Sequence, residues 1–431
     1  MSPRLLIGLF CAALVTAAGC SSPSPERKPA PETASQPAPW PLSFAPATVA
    51  VAADSGQPQI TRSADGGAIV SWIEMGEKGV ATLRFAERSR AGAWSAPQTV
   101  ASGNDWFVSW ADVPAVTRLS DTTLVAQWLK TVDIALEAYD LLIARSTDNG
   151  RTWSRPATPH HDKTRTQHGF ASFFPWADAS GKPGLGVIWL DGRDQELDTK
   201  DPEGGSMGLF YARYDGAGKA SPEAAIDGRV CECCATSAAV TSEGPIVAFR
   251  DRSEKDVRDI AVSRFEHGAW TPAATVHADN WTIDACPVNG PSIAAAGSTV
   301  AVAWFVATND DGHAFLAFST DGGRTFGAPV RLDDTTSLGH VGVDMLPDGS
   351  AVASWVEFAD MRSRLRVRRI EASGAKSAPV EIAGARGARV SGVPRLVRVG
   401  NELLVSWTES TSTDDAEPNQ HVRIATAALP K

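Results

Sequence analysis

A β-rich segment ending in a large aromatic residue recurs seven times along this chain, and that recurrence restricts the folds open to it. The closing residues are Trp72, Trp128, Trp189, Phe249, Trp304, Trp355 and Trp407, spaced 51 to 61 residues apart. Such a period marks a repeat architecture, in which one copy cannot bury its apolar face alone. Each copy opens with a hairpin, as in Pro58 to Trp72 with its Asp65-Gly66-Gly67 turn; Asp348-Gly349 plays the same part in the sixth copy. A third strand follows the aromatic, such as Leu83 to Ala86 or Ile260 to Ser263. A fourth, short strand is entered through Pro97, Pro156, Pro222, Pro272, Pro329 or Pro379. Proline fits an edge strand because its missing N–H faces outwards. Four antiparallel strands repeated radially describe an all-β propeller. The count gives seven blades, with six as the alternative. The seventh copy stops at Ile424 to Leu429, one strand short, and Phe44 to Val49 supplies a strand to close the ring.

The first nineteen residues read as a targeting segment: Arg4, then the apolar run Leu5 to Ala18, too short to span a bilayer. The run ends in Ala17-Ala18-Gly19-Cys20 and resembles a bacterial lipobox, with Ala17 where Leu is commoner. That resemblance implies lipidation of Cys20 and a membrane anchor, and Ser21 implies sorting to an outer membrane. An ordinary signal peptide is the alternative. Residues 20–42, rich in Pro, Ser and Ala, read as an extended tether, leaving 43–431 as the folded domain outside the cytoplasm, in the envelope or periplasm. With 40 Lys+Arg against 50 Asp+Glu, the net charge of −10 argues against nucleic-acid binding. The domain is expected to be a monomer.

Two hairpins carry a more specific signature: Ser146-Thr-Asp148-Asn-Gly150-Arg-Thr152-Trp153 and Ser319-Thr-Asp321-Gly-Gly323-Arg-Thr325-Phe326. Both match the Asp-box, and over residues 43–431 the chain resembles the sialidase-like, BNR-repeat propellers. The motif reports the fold; Asp148 and Asp321 are expected to shape turns on the face opposite the usual active site. The resemblance to exo-α-sialidases implies an Arg triad, a Tyr nucleophile and an Asp acid/base. This chain departs from it: no Tyr follows Tyr214, and no Arg-Ile-Pro opens the first blade.

Counting back from each aromatic places candidate residues on one face. Four cysteines, Cys231, Cys233, Cys234 and Cys286, fall in equivalent loops of adjacent copies. They read either as disulfide staples, as a redox-active disulfide, or as a thiolate site for copper or zinc, with His168 or His340 as further ligands. Arg193, Arg250, Arg252 and Arg389, interleaved with Asp191, Asp194, Asp251 and Asp259, read either as a clamp for a carboxylate or phosphate or as an internal ion-pair network. Asp191, Asp251 and Glu357 are the candidates for acid/base work on a glycosidic bond. Trp106, Phe107 and Trp110 suit sugar stacking or blade packing. Trp110 and His168 join the Arg residues as ligand-binding candidates. His160-His161-Asp162 reads as a solvated turn, with metal binding as the lesser alternative; His267, His277, His313 and His421 read as loop residues. The expectation is a lipid-anchored propeller binding an anionic or carbohydrate ligand, against a metal-handling protein and a pure interaction scaffold.

Overall fold

The computed structural model describes residues 37–63, 65–177, 181–195, 205–309, 311–360, 362–386, 391–410 and 420–430. Cys20 and Arg389 lie outside them. Among the described residues the strands form seven antiparallel sheets, one per sequence copy. The first blade shows the plan: Ser55–Arg62 innermost, then Ala68–Met75, Ala81–Arg88 and Gln98–Gly103. The second strand of every blade carries the repeated aromatic, and all seven are buried, Trp407 being the most accessible at 9%. They fill the wedges between blades. Trp72, for example, joins a cluster with Val397, Leu404 and Ile424 of the last blade.

Closure follows the sequence expectation. The strand Ala45–Pro46 pairs with Gln420–Ala428, Ala45 opposite Thr426 and Pro46 opposite Ala425. The packed unit nevertheless begins at Pro37, earlier than the residue 43 inferred from composition. Leu42 is buried among Leu346, Leu403 and Leu429, with Trp40 against the same cluster, so two apolar residues pull the end of the Pro-rich run onto the last two blades. The second blade departs from the four-strand plan. After Leu124–Asp133 and Ala138–Ser146, its outer edge shrinks to one bridge, Ile143 to Ala157, directly after Pro156. The fourth blade splits its edge into Ala269–Trp270 and Ala274–Thr275 around Pro272.

Both Asp-boxes form the expected turns. The Asp148 carboxylate accepts the Thr152 N–H at 2.9 Å and hydroxyl at 2.6 Å, and Gly150 N–H donates to Ser146 Oγ at 2.8 Å. Asp321 repeats this with Thr325 at 2.9 and 2.6 Å, and Gly323 N–H with Ser319 Oγ at 2.9 Å. Gly150 and Gly323 take φ of 79° and 87°, open only to glycine at low cost. Trp153 packs edge-on against Phe85 of the preceding blade at 6.1 Å, and Phe326 joins the cluster around Trp304.

Candidate functional site

Antiparallel order within each blade places the loop before the innermost strand and the loop after the second strand on one face. Four innermost strands slip register near that face, and three of them carry a left-handed non-glycine residue there. Gln57, Phe170 and His340 sit there at φ of 51°, 51° and 50°, where the ladder register slips. A non-glycine residue held left-handed in a strand costs about 1–3 kcal/mol and persists only when its surroundings over-determine it. Two of these residues, Phe170 and His340, line the cavity at the channel mouth.

That mouth gathers residues from six blades. Ala111, Phe170, Thr236, Asn289, His340 and Arg395 line one cavity. The loop before Ala115–Arg118 reaches into it: Ala111 packs with Phe170, Phe174 and Phe249, and Trp110 meets the His340 ring edge-on at 5.9 Å from four copies away in sequence. Trp110 remains 44% exposed. Beneath it the Asp112 carboxylate is buried and accepts the Phe170 N–H at 2.6 Å. Burial pushes the Asp112 carboxyl up to about 7, against the lowering pull of that N–H and of the Arg395 charge. Burial also brings Arg395 down to about 10, still charged at neutral pH, and its buried Nε has no partner. His340 is lowered to about 4 by burial and by Arg395, so it is neutral.

The Asp112 shift has a pH consequence. An unfolded chain releases this proton near 3.8, whereas the folded chain holds it to about 7. Between those values only the folded state binds it, so this group's contribution to stability falls as pH rises through the window. Asp112→Asn is therefore expected to gain stability relative to the parent between pH 4 and pH 8. Urea unfolding of both proteins at the two pH values checks this; a gap independent of pH would contradict it.

The cysteines divide two and two. Cys233 and Cys286 form a disulfide joining the loops of the fourth and fifth blades, one of the two bridges that the staple reading expects. Cys231 and Cys234 keep thiols, with their sulfurs 3.1 Å apart and both buried. Hydrogen bonding from Cys234, aided by the Arg250 charge, lowers Cys231 to about 7, while burial and the neighbouring sulfur push Cys234 well up. The disulfide removes two of the four sulfurs from any thiolate site. Neither histidine joins the cysteine group: His340 lines the channel mouth, and His168 lies with His160.

The arginine clamp is not what the fold builds. Arg250 is 1% exposed, and its donors go to the carbonyls of Asn289, Arg258 and Phe305 at 2.6 to 3.1 Å. Its guanidinium also lies 4.6 Å from the Trp281 ring centre. Four of its five N–H donors are committed to the protein. Arg252 is held by Glu232 and by Asp256 at 2.7 Å, and Arg193 is bidentate to Asp191 at 2.8 and 2.7 Å. These three residues follow the internal-network reading, because each guanidinium is held by acceptors of the protein itself. Asp259 accepts the N–H groups of Asn280 and Trp281.

The three carboxylates proposed for acid/base work are likewise not assembled. Asp191 is committed to Arg193 and to Trp189 Nε1 at 2.8 Å. Asp251 accepts the Arg252 N–H at 2.8 Å, with burial raising its carboxyl. Glu357 faces Arg366 at 3.1 Å. No hydrogen bond or ion pair joins any two of the three among the described residues. Each answers a need of its own blade.

The His160 segment is no solvated turn. His160 and His168 are buried and stack at 3.7 Å with their rings 2° from parallel. Only His161 is exposed, paired to Glu223 at 2.6 Å. His313 and His421 lie on strands rather than in loops. Sequence reasoning missed Asp112, Arg395 and Asp140, because counting back from the aromatic assumes loops of constant length and takes no account of bulges.

No protein-family model and no curated protein matches the sequence. Solved structures do. The polysaccharide lyase Uly1 superimposes with a TM-score of 0.50 at 9% identity, over 88% of this chain and 91% of its own. The phage phi92 endosialidase gives 0.51 at 10% identity, over 91% and 70%. The fold is that of a sialidase-like propeller. At such identity the likeness speaks for the arrangement of blades, and the chemistry rests on this propeller's own residues.

Proposed function

We propose that this chain is a lipid-anchored envelope protein, held through Cys20, whose propeller binds an anionic carbohydrate at the channel mouth. The observation that carries the reading is the cavity lined from six blades, with His340 and Arg395 in its wall, Trp110 edge-on against the His340 ring, and Asp112 bonded to the N–H of the lining Phe170. Exposed Trp110 offers a face for a sugar ring. Arg395, which lines the cavity and stays charged at neutral pH, offers a positive charge for a carboxylate. Asp112, whose buried carboxyl is raised to about 7 and so is protonated in part at neutral pH, offers a proton donor to a sugar oxygen. The same fold serves the polysaccharide lyase and the endosialidase, which supports a carbohydrate ligand without specifying it.

The test is a screen of uronate-containing and sialylated oligosaccharides, followed by calorimetry on the tightest binder. Arg395→Ala is expected to weaken binding roughly 100-fold, the loss of one charge-assisted bidentate contact, and Trp110→Ala roughly 10-fold. Both variants binding as the parent does, or no oligosaccharide binding at all, would sink the proposal.

A further inference from the structure

Between the second and third blades, the geometry points to a transition-metal site built from Asp140, His160 and His168, distinct from both the channel mouth and the cysteines. Asp140 stands near the start of the third strand of blade two, His168 opens the innermost strand of blade three, and His160 lies in the loop between them. The Asp140 carboxylate oxygen is 3.6 Å from His160 Nε2 and 3.7 Å from His168 Nδ1. Those separations are too long for hydrogen bonds. They approach the roughly 3.4 Å between two ligands that each sit about 2.1 Å from a tetrahedral ion.

The two nitrogens facing Asp140 are buried and have no hydrogen-bond partner. Buried polar atoms without partners are rare and call for an explanation. The opposite nitrogens are provided for: His160 Nδ1 meets one Asp162 oxygen at 3.1 Å and His168 Nε2 meets the other at 3.3 Å. One carboxylate thus sets the tautomer of both rings, and leaves both lone pairs on the Asp140 side. This is the outer-shell carboxylate of metal-binding histidines, used twice. Asp162 is itself held by the Thr164 N–H at 3.1 Å and by the Thr164 hydroxyl. Parallel imidazoles need only splay about Asp162 to aim both lone pairs at one ion.

Charge and donor type narrow the guest. Asp140, Asp162, Asp191 and Glu223 surround the cluster, with Arg193 bridging the last three within 3.7 Å. The field therefore favours a cation. Two imidazoles and one carboxylate select zinc or a neighbouring first-row divalent ion over calcium or magnesium. The neighbouring set of Asp162, His168 and Asp191 is not the site, because Asp191 is already bidentate to Arg193 and takes the Trp189 N–H. Three protein ligands leave a fourth position open, as in catalytic rather than structural zinc sites.

The experiment uses the whole chain, purified without chelator and equilibrated with zinc before dialysis. One zinc per chain is expected, falling to background in His160→Asn and in His168→Asn. It should be retained in His161→Asn and in the Cys231→Ser/Cys234→Ser double variant. Asp162→Asn is expected to weaken zinc binding 10- to 100-fold. Cobalt in the parent protein covers the case of histidine variants that do not fold: it should show d–d bands without sulfur-to-cobalt charge transfer. Absence of zinc from the parent, or zinc and a sulfur band that depend on Cys231 and Cys234, overturns the assignment.

Discussion

Arg250→Ala is expected to destabilise the propeller by at least about 4 kcal/mol and to leave no sign of a specific ligand-binding defect. The guanidinium serves the carbonyls of Asn289, Arg258 and Phe305, all deep between the fourth and fifth blades. Removing it orphans three buried acceptors at about 1–3 kcal/mol each, and also forfeits the Trp281 stacking contact. Arg250→Lys should rescue little, since one ammonium cannot reproduce a planar fork. Urea unfolding reads the loss directly. A variant that unfolds with the parent yet loses oligosaccharide binding would restore the clamp that the isolated sequence allows.

The second large effect concerns the staple. Cys233 and Cys286 are separated by 53 residues, and closing a loop of that length removes roughly 4 kcal/mol of unfolded-state entropy at 25 °C. The double variant Cys233→Ser/Cys286→Ser is expected to lose about that much. The double variant is preferable to a single one, which would leave a third thiol beside Cys231 and Cys234. Reductant should bring the parent's urea midpoint down to the variant's and leave the variant's unchanged. Equal midpoints for parent and variant without reductant would show that the bond contributes nothing to stability.

The fold was legible because its signals are local and repeated. Seven aromatics on second strands, prolines at blade edges and two Asp-boxes each recur at a fixed place within one copy, so each reads correctly without knowing which neighbouring blade it packs against. The site is the opposite case. Arg250 looked like a ligand-binding arginine because the acidic residues near it in sequence were visible and its real partners were not. Those partners include backbone carbonyls 39 and 55 residues away, and any residue type can supply a carbonyl. His160 looked solvated for a related reason. What buries it is His168 and Asp140, which reach it from two different strands. Asp112 escaped notice because it lies in the loop before its copy's innermost strand, and Arg395 because the innermost strand of its own copy slips register between Ser391 and Arg395. The cysteine pairing lay between: the equivalence of the two loops was readable, but not which of the three sulfurs in one loop would meet Cys286.

The pairing of Ala45 with Thr426 sets an order of events in synthesis. The outer strand of the seventh blade is among the first parts of the domain to leave the ribosome, and the strand it needs is among the last. Until then the growing chain carries unclosed blades with open edges at both ends, a state exposed to pairing with other chains. Contacts of such separation also slow the final step. Yield in the cell should therefore respond more steeply to the last few residues before Ala428 than their modest contact with two N-terminal residues suggests.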